Sequence, residues 1–181
     1  MKRLLLTVVA LAVTLVMNAQ FSKATLQATG LTCAMCSNAI NKALQKVSFV
    51  ESVRSDIRNS SFNIVFKPGA EINIDDLKKA VEDAGFSIGS LKLTGNFTDL
   101  KVEKDMHTKI GNETFHFLNA DGQVLNGEQV ITVVDKNYLT EKQFKKISAG
   151  TKMNCVLTGK ASSCCIRDGI AEGERVYHVI I

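Results

Sequence analysis

The sequence predicts an α+β protein of two units, and three observations lead there. Over residues 22–94, apolar residues alternate, then recur at helical spacing, then alternate again. Over residues 97–181 the alternating, strand-like pattern dominates, with a single helical stretch. The chain has 181 residues and is 45% hydrophobic, enough apolar material for packed cores and enough length for two small units.

Each element follows from its own residues. Ala24, Leu26 and Ala28 alternate with Thr25 and Gln27 as a half-buried strand, and Gly30 ends it. Ile40, Ala43, Leu44 and Val47 share one face of an amphipathic helix over 34–46. A second strand is expected around 50–57, a turn at Arg58-Asn59-Ser60, and a third strand where Phe62, Ile64 and Phe66 alternate with polar or outward neighbours. Asn73 or Asp75 can cap the next helix, Leu77, Ala80, Val81 and Ala84 give its apolar face, and Gly85 suits the position just past its end. Residues 86–93 supply a fourth strand. The order β-α-β-β-α-β is that of a ferredoxin-like unit, with two helices on one face of a four-stranded antiparallel sheet. Gly95-Asn96 reads as the boundary. Beyond it, 109–118, the stretch around Val130–Val134, 154–158 and 175–181 read as strands, Asp121-Gly122 as a turn, and 139–147 as a helix with Thr140 and Gln143 in a capping box. About five strands and one helix suit a small, OB-like barrel.

The N-terminus reads as a secretory signal. Lys2-Arg3 precede an apolar run, Leu4 to Val16, of roughly a dozen residues, short for a bilayer span. Cleavage is expected near Ala19, so residues 1–19 stand outside the fold argument, and no membrane contact is expected after cleavage. With no lipid-attachment cysteine after the run, the expected location is exported and periplasmic. The net charge of +4 is spread without a Lys/Arg run, which excludes nucleic-acid binding driven by a basic patch. No Ser/His/Asp set, phosphate loop or paired carboxylate motif points to catalysis, so the chain is read as a non-enzyme.

The informative segment is Gly30-Leu31-Thr32-Cys33-Ala34-Met35-Cys36, between the first strand and the first helix. One thiol on the loop and one in the first helical turn can converge. Unpaired N–H groups and the helix dipole there favour thiolate. Paired soft sulfurs select soft ions such as Cu(I), and two ligands leave the shell open to another protein's thiol. By itself a Cys-x-x-Cys pair also serves redox enzymes, structural zinc sites and disulfides. The whole segment, with Ser37-Asn38-Ala39-Ile40 after it and Glu82-Asp83-Ala84-Gly85-Phe86 further on, resembles the heavy-metal-associated domain family over residues 22–94. Copper-transporting ATPase N-terminal domains, copper chaperones and the periplasmic mercury-binding protein belong to that family. The resemblance implies that Cys33 and Cys36 hold the metal and that Phe86 packs near it. Leu31 stands where the family usually has Met, a packing position at which Leu is close in volume.

The expected function is therefore exported soft-metal binding, with Cu(I) buffered by Cys33 and Cys36 or delivered to and from a metal-donor or acceptor protein. Hg(II) scavenging, Zn(II) binding and thiol–disulfide exchange are the alternatives. Met35 reads as a rim residue. Cys155, Cys164 and Cys165 are left open between a disulfide, a second thiol-rich metal site to which His178 or Met153 could add, and free thiols. His107, His116 and His178 read as structural or exposed, and Lys142, Lys145 and Lys146 as a solvated helix face.

Overall fold

The computed structural model describes residues 20–181 apart from Thr32 and Lys152. The expected signal segment, 1–19, lies outside the described residues. The elements β1 (Gln20–Thr29), α1 (Ala34–Gln45), β2 (Val50–Asp56), β3 (Ser61–Phe66), α2 (Ile74–Asp83) and β4 (Ser87–Val102) follow one another in the expected order. Alternation in β1 buries Phe21, Ala24, Leu26 and Ala28, and in β3 it buries Phe62, Ile64 and Phe66. The turn between β2 and β3 is held by the Asp56 carboxylate, which accepts from the Asn59 backbone at 3.2 Å and its side-chain amide at 2.7 Å. Ile40 and Leu44 of α1, and Ile74, Leu77 and Val81 of α2, close over the same sheet face. The Asn73 side chain accepts from the Asp75 N–H at 3.0 Å and caps α2, while Gly85, at φ +87°, turns the chain out of it. The antiparallel order β2-β3-β1-β4 completes the ferredoxin-like unit.

The sheet does not stop there. After β4 come β5 (Met106–Ile110), β6 (Glu113–Phe117), β7 (Gln123–Val133), α3 (Glu141–Ser148), α4 (Asn154–Thr158), α5 (Ser163–Ile166) and β8 (Val176–Ile180). The eight strands form one sheet in the order β2-β3-β1-β4-β7-β8-β6-β5, with β6 and β8 parallel and the remaining pairs antiparallel. Two expectations are corrected. The C-terminal strands do not form an OB-like barrel, because β4 is paired on both edges and recruits them into an open mixed sheet. Gly95-Asn96 is no linker, since both residues lie within β4, paired to β1 and β7. A Cβ on Gly95 would stand 3.0 Å from the Phe21 ring and 3.2 Å from the Phe97 ring, so the missing side chain makes room for aromatic packing.

The main core crosses from one half to the other. Phe97, Phe21, Phe115, Tyr177 and Tyr138 form a relay with ring centroids 6.0, 5.3, 5.8 and 6.5 Å apart. A second, smaller core gathers Phe144, Cys155, Val156, Cys165, Ile170 and Val176 under the C-terminal helices. The capping box of α3 forms as expected, the Thr140 N–H donating to Gln143 Oε1 at 3.0 Å. Residues 154–158, expected as a strand, are the single turn α4, closed by the Gly159 N–H on the Cys155 carbonyl at 2.7 Å with Gly159 at φ +69°. Five apolar-rich residues are too few for periodicity to separate the two states. Ser162 is the N-cap residue of α5.

Candidate metal centre

Gly30 ends β1 in the left-handed region, at φ +82°, and brings the chain round to the start of α1. Leu31 packs on the main core and pins the loop from below. Cys33 is the N-cap residue, with extended backbone (φ −157°, ψ 165°), and its carbonyl accepts from the Ser37 N–H at 3.4 Å. Cys36 lies in the first turn. The two sulfurs stand 3.1 Å apart, Cys33 exposed and Cys36 half-buried. A Cβ on Gly30 would lie 4.0 Å from the Phe86 ring, which places Phe86 beside the loop. Met35 is 82% exposed, at the rim.

The electrostatics suit an anionic pair. The first turn of α1 carries no acidic side chain, so negative charge on the sulfurs meets the positive helix end without a competing carboxylate. The first turn of α2, by contrast, carries Asp75 and Asp76. Two thiolates at this spacing can reach one ion, since metal–sulfur bonds are about 2.3 Å long.

Residues 25–87 match the family model of the heavy-metal-associated domain. This segment is a heavy-metal-associated domain. A copper-transporting ATPase of Arabidopsis thaliana is 36% identical to the chain over 77 residues, covering 39% of the chain and 8% of that protein. A copper-transporting ATPase of Helicobacter pylori is 38% identical over 58 residues, covering 32% of the chain and again 8% of that protein. The chain thus corresponds to a small part of these much longer relatives. Among solved structures, a copper binding domain of a P-type ATPase is 35% identical, aligned over 37% of this chain and 92% of its own, with a TM-score of 0.34.

The heavy-metal-associated domain contains Cys33 and Cys36; the other three cysteines lie far along the chain and come together elsewhere. Cys164 Sγ is 3.7 Å from Cys155 Sγ and 3.5 Å from Cys165 Sγ. No disulfide joins them. The histidines, read as structural or exposed, are not exposed. His107, His116 and His178 are paired directly across three neighbouring strands, β5, β6 and β8, and are buried. Their rings are 4.2 Å (His107–His116) and 5.0 Å (His116–His178) apart. Sequence patterning misses this ladder, because which residues face each other is a property of strand register.

Proposed function

We propose that the heavy-metal-associated domain of this chain binds Cu(I) as cargo between Cys33 and Cys36 and exchanges it with a partner protein's thiols outside the cytoplasm. The observation that carries the reading is the pair itself: two sulfurs 3.1 Å apart at a helix N-terminus, one of them exposed. The names of the copper-transporting relatives support the choice of ion, as does the preference of paired thiolates for Cu(I). Exposure of Cys33 gives an incoming thiolate a way in. Its sulfur adds to the ion while one of the two cysteine sulfurs leaves and takes up a proton. The ion changes hands with its oxidation state unchanged. The role is binding and delivery rather than catalysis. Export rests on the basic–apolar pattern of residues 2–19. No helix among the described residues is long and apolar enough to cross a membrane.

The test is a Cu(I) titration of the reduced full chain against a chromogenic chelator, beside a Cys33→Ser/Cys36→Ser variant. Wild type is expected to hold about one equivalent more than the variant. Equal uptake by the two proteins removes the assignment.

A further inference from the structure

The buried cluster in the C-terminal half gathers thiols and imidazoles around one sulfur. Cys155 sits at its centre. Its sulfur shares one group with Cys164 and Cys165, and another with a ring nitrogen each of His107 and His116; within each group the donor atoms all lie within 4.8 Å of one another. Cys155 and Cys165 are fully buried in the smaller core, and Cys164 is half-buried.

The imidazoles are prepared rather than satisfied. His107 Nδ1 lies 2.6 Å from Asp168 Oδ2, a contact that places a proton on Nδ1 and leaves the lone pair on Nε2. That Nε2 is buried and has no hydrogen-bond partner. His116 turns Nδ1 toward Cys155 Sγ at 3.8 Å, while Asp105 Oδ1 lies 3.5 Å from its Nε2. A carboxylate behind an imidazole is the arrangement that orients metal-binding histidines. Buried polar groups of native proteins almost always have partners, so the buried, unpartnered ring nitrogen of His107, in one group with the Cys155 sulfur, is a donor available to a cation.

We infer that Cys155, Cys164 and Cys165, with the adjoining imidazoles of His107 and His116, form a second metal site that takes a thiophilic d10 cation, Cu(I) or Zn(II). Three sulfurs and an imidazole suit a tetrahedral zinc ion; the sulfurs alone suit Cu(I). Each thiol that binds gives up its S–H proton to solvent as the S–metal bond forms. Cys164 is the most accessible of the three. Burial opposes its charge, yet the Ser162 hydroxyl 3.1 Å away and the neighbouring Cys155 and Cys165 groups bring it down to about 7. Burial pushes the other two thiols up, and the bound cation compensates for that. A disulfide between Cys155 and Cys164 would leave Cys165 and the His107 Nε2 without partners, so it accounts for less of the cluster.

The site is independent of Cys33 and Cys36, and the test separates them. The full chain carrying Cys33→Ser/Cys36→Ser, reduced with a phosphine, is titrated with Cu(I) in one arm and Zn(II) in the other against chromogenic chelators. It is expected to retain about one equivalent of at least one ion, and the arm that binds identifies which. In that background His116→Gln and Cys164→Ser are each expected to weaken binding by about 10–100-fold or more. Uptake of neither ion overturns the inference, as does uptake undiminished in a folded Cys155→Ser/Cys164→Ser/Cys165→Ser variant. Alkylation followed by peptide mass mapping needs no further variant. The metal-loaded Cys33→Ser/Cys36→Ser protein should protect Cys155, Cys164 and Cys165 from a thiol reagent, and equal labelling with and without metal overturns the site.

Discussion

Glu113 opens β6 half-buried, near Asp75, and its carboxyl is raised to about 7. Burial is the main cause. Asp75 pushes in the same direction, Arg175 and the Ile74 N–H oppose it, and Asp76 adds a little. The sign of the resulting pH dependence follows. Between the ordinary carboxyl value of about 4.3 and about 7, the folded protein keeps a proton that the unfolded chain releases. The stabilisation is therefore complete at the acidic end and is lost as pH rises through that window. Urea unfolding at pH 5 and pH 8 should show wild type losing on the order of 1–3 kcal/mol relative to Glu113→Gln across the interval. Parallel pH profiles for the two proteins would remove Glu113 as the cause. The acidic edge belongs to Asp75, whose carboxyl is held below the usual range: burial raises it, but bonds from Arg175 and Tyr138 outweigh that. Its contribution is present at neutral pH and disappears as pH falls through the folded value.

At the scale of elements, β4 decides the architecture. Its residues 87–96 pair with β1 as the last strand of the heavy-metal-associated domain, and its residues 91–102 pair with β7 on the other edge. Gly95 lies where the two pairings overlap, against Phe21 and Phe97. Gly95→Ala puts a methyl group 3.0 Å from one ring and 3.2 Å from both the other ring and the Gln20 carbonyl, and should cost about 1–3 kcal/mol of stability, read by chemical denaturation. An unchanged midpoint would mean that the rings move aside freely. The same strand shows where sequence reading reaches its limit. Helices α1 and α2 were legible because their signals are local: Ile40 with Leu44, Leu77 with Val81, Asn73 as a cap, Gly85 past the end. Thr94-Gly95-Asn96 carry the chemistry of a turn, and only β1 on one side and β7 on the other hold them extended. The closeness of the Cys33 and Cys36 sulfurs was legible for the same reason as the helices, since the two residues are neighbours in the chain. Cys155 meets His116, 3.8 Å away, across 39 residues of chain, and no local pattern encodes that meeting.

The whole molecule is tied together at the junction of α2 with the C-terminal half. Asp75, in the first turn of α2, accepts from the buried Tyr138 hydroxyl at 2.6 Å and from Arg175 Nε at 2.9 Å. Arg175 also pairs with Asp135 at 2.8 Å and lies 4.0 Å over the Tyr177 ring, and Asp135 holds His178 Nδ1 at 2.6 Å. A charged chain thus runs from the helix layer of the metal-binding domain to the histidine ladder, parallel to the aromatic relay through Phe21 and Phe115. With a shared core and a shared strand, the two halves should unfold as one cooperative unit. Asp75→Ala leaves the Tyr138 hydroxyl buried without an acceptor and strips Arg175 of one of its two carboxylates. A loss of about 1–3 kcal/mol is expected, or roughly 2–4 °C in the thermal midpoint for each kcal/mol. The chain has 2 tyrosines and no tryptophan, and Tyr138 and Tyr177 both lie in the C-terminal half, so the tyrosine bands of the near-ultraviolet circular dichroism, resolved from those of phenylalanine, follow that half alone. Hydrogen exchange of the β3 amides follows the other. If Asp75→Ala lowers both signals by the same free energy, the halves are one folding unit. If the tyrosine signal shifts while β3 protection stays at its wild-type value, the metal-binding domain folds on its own and the continuous sheet couples the halves only in structure.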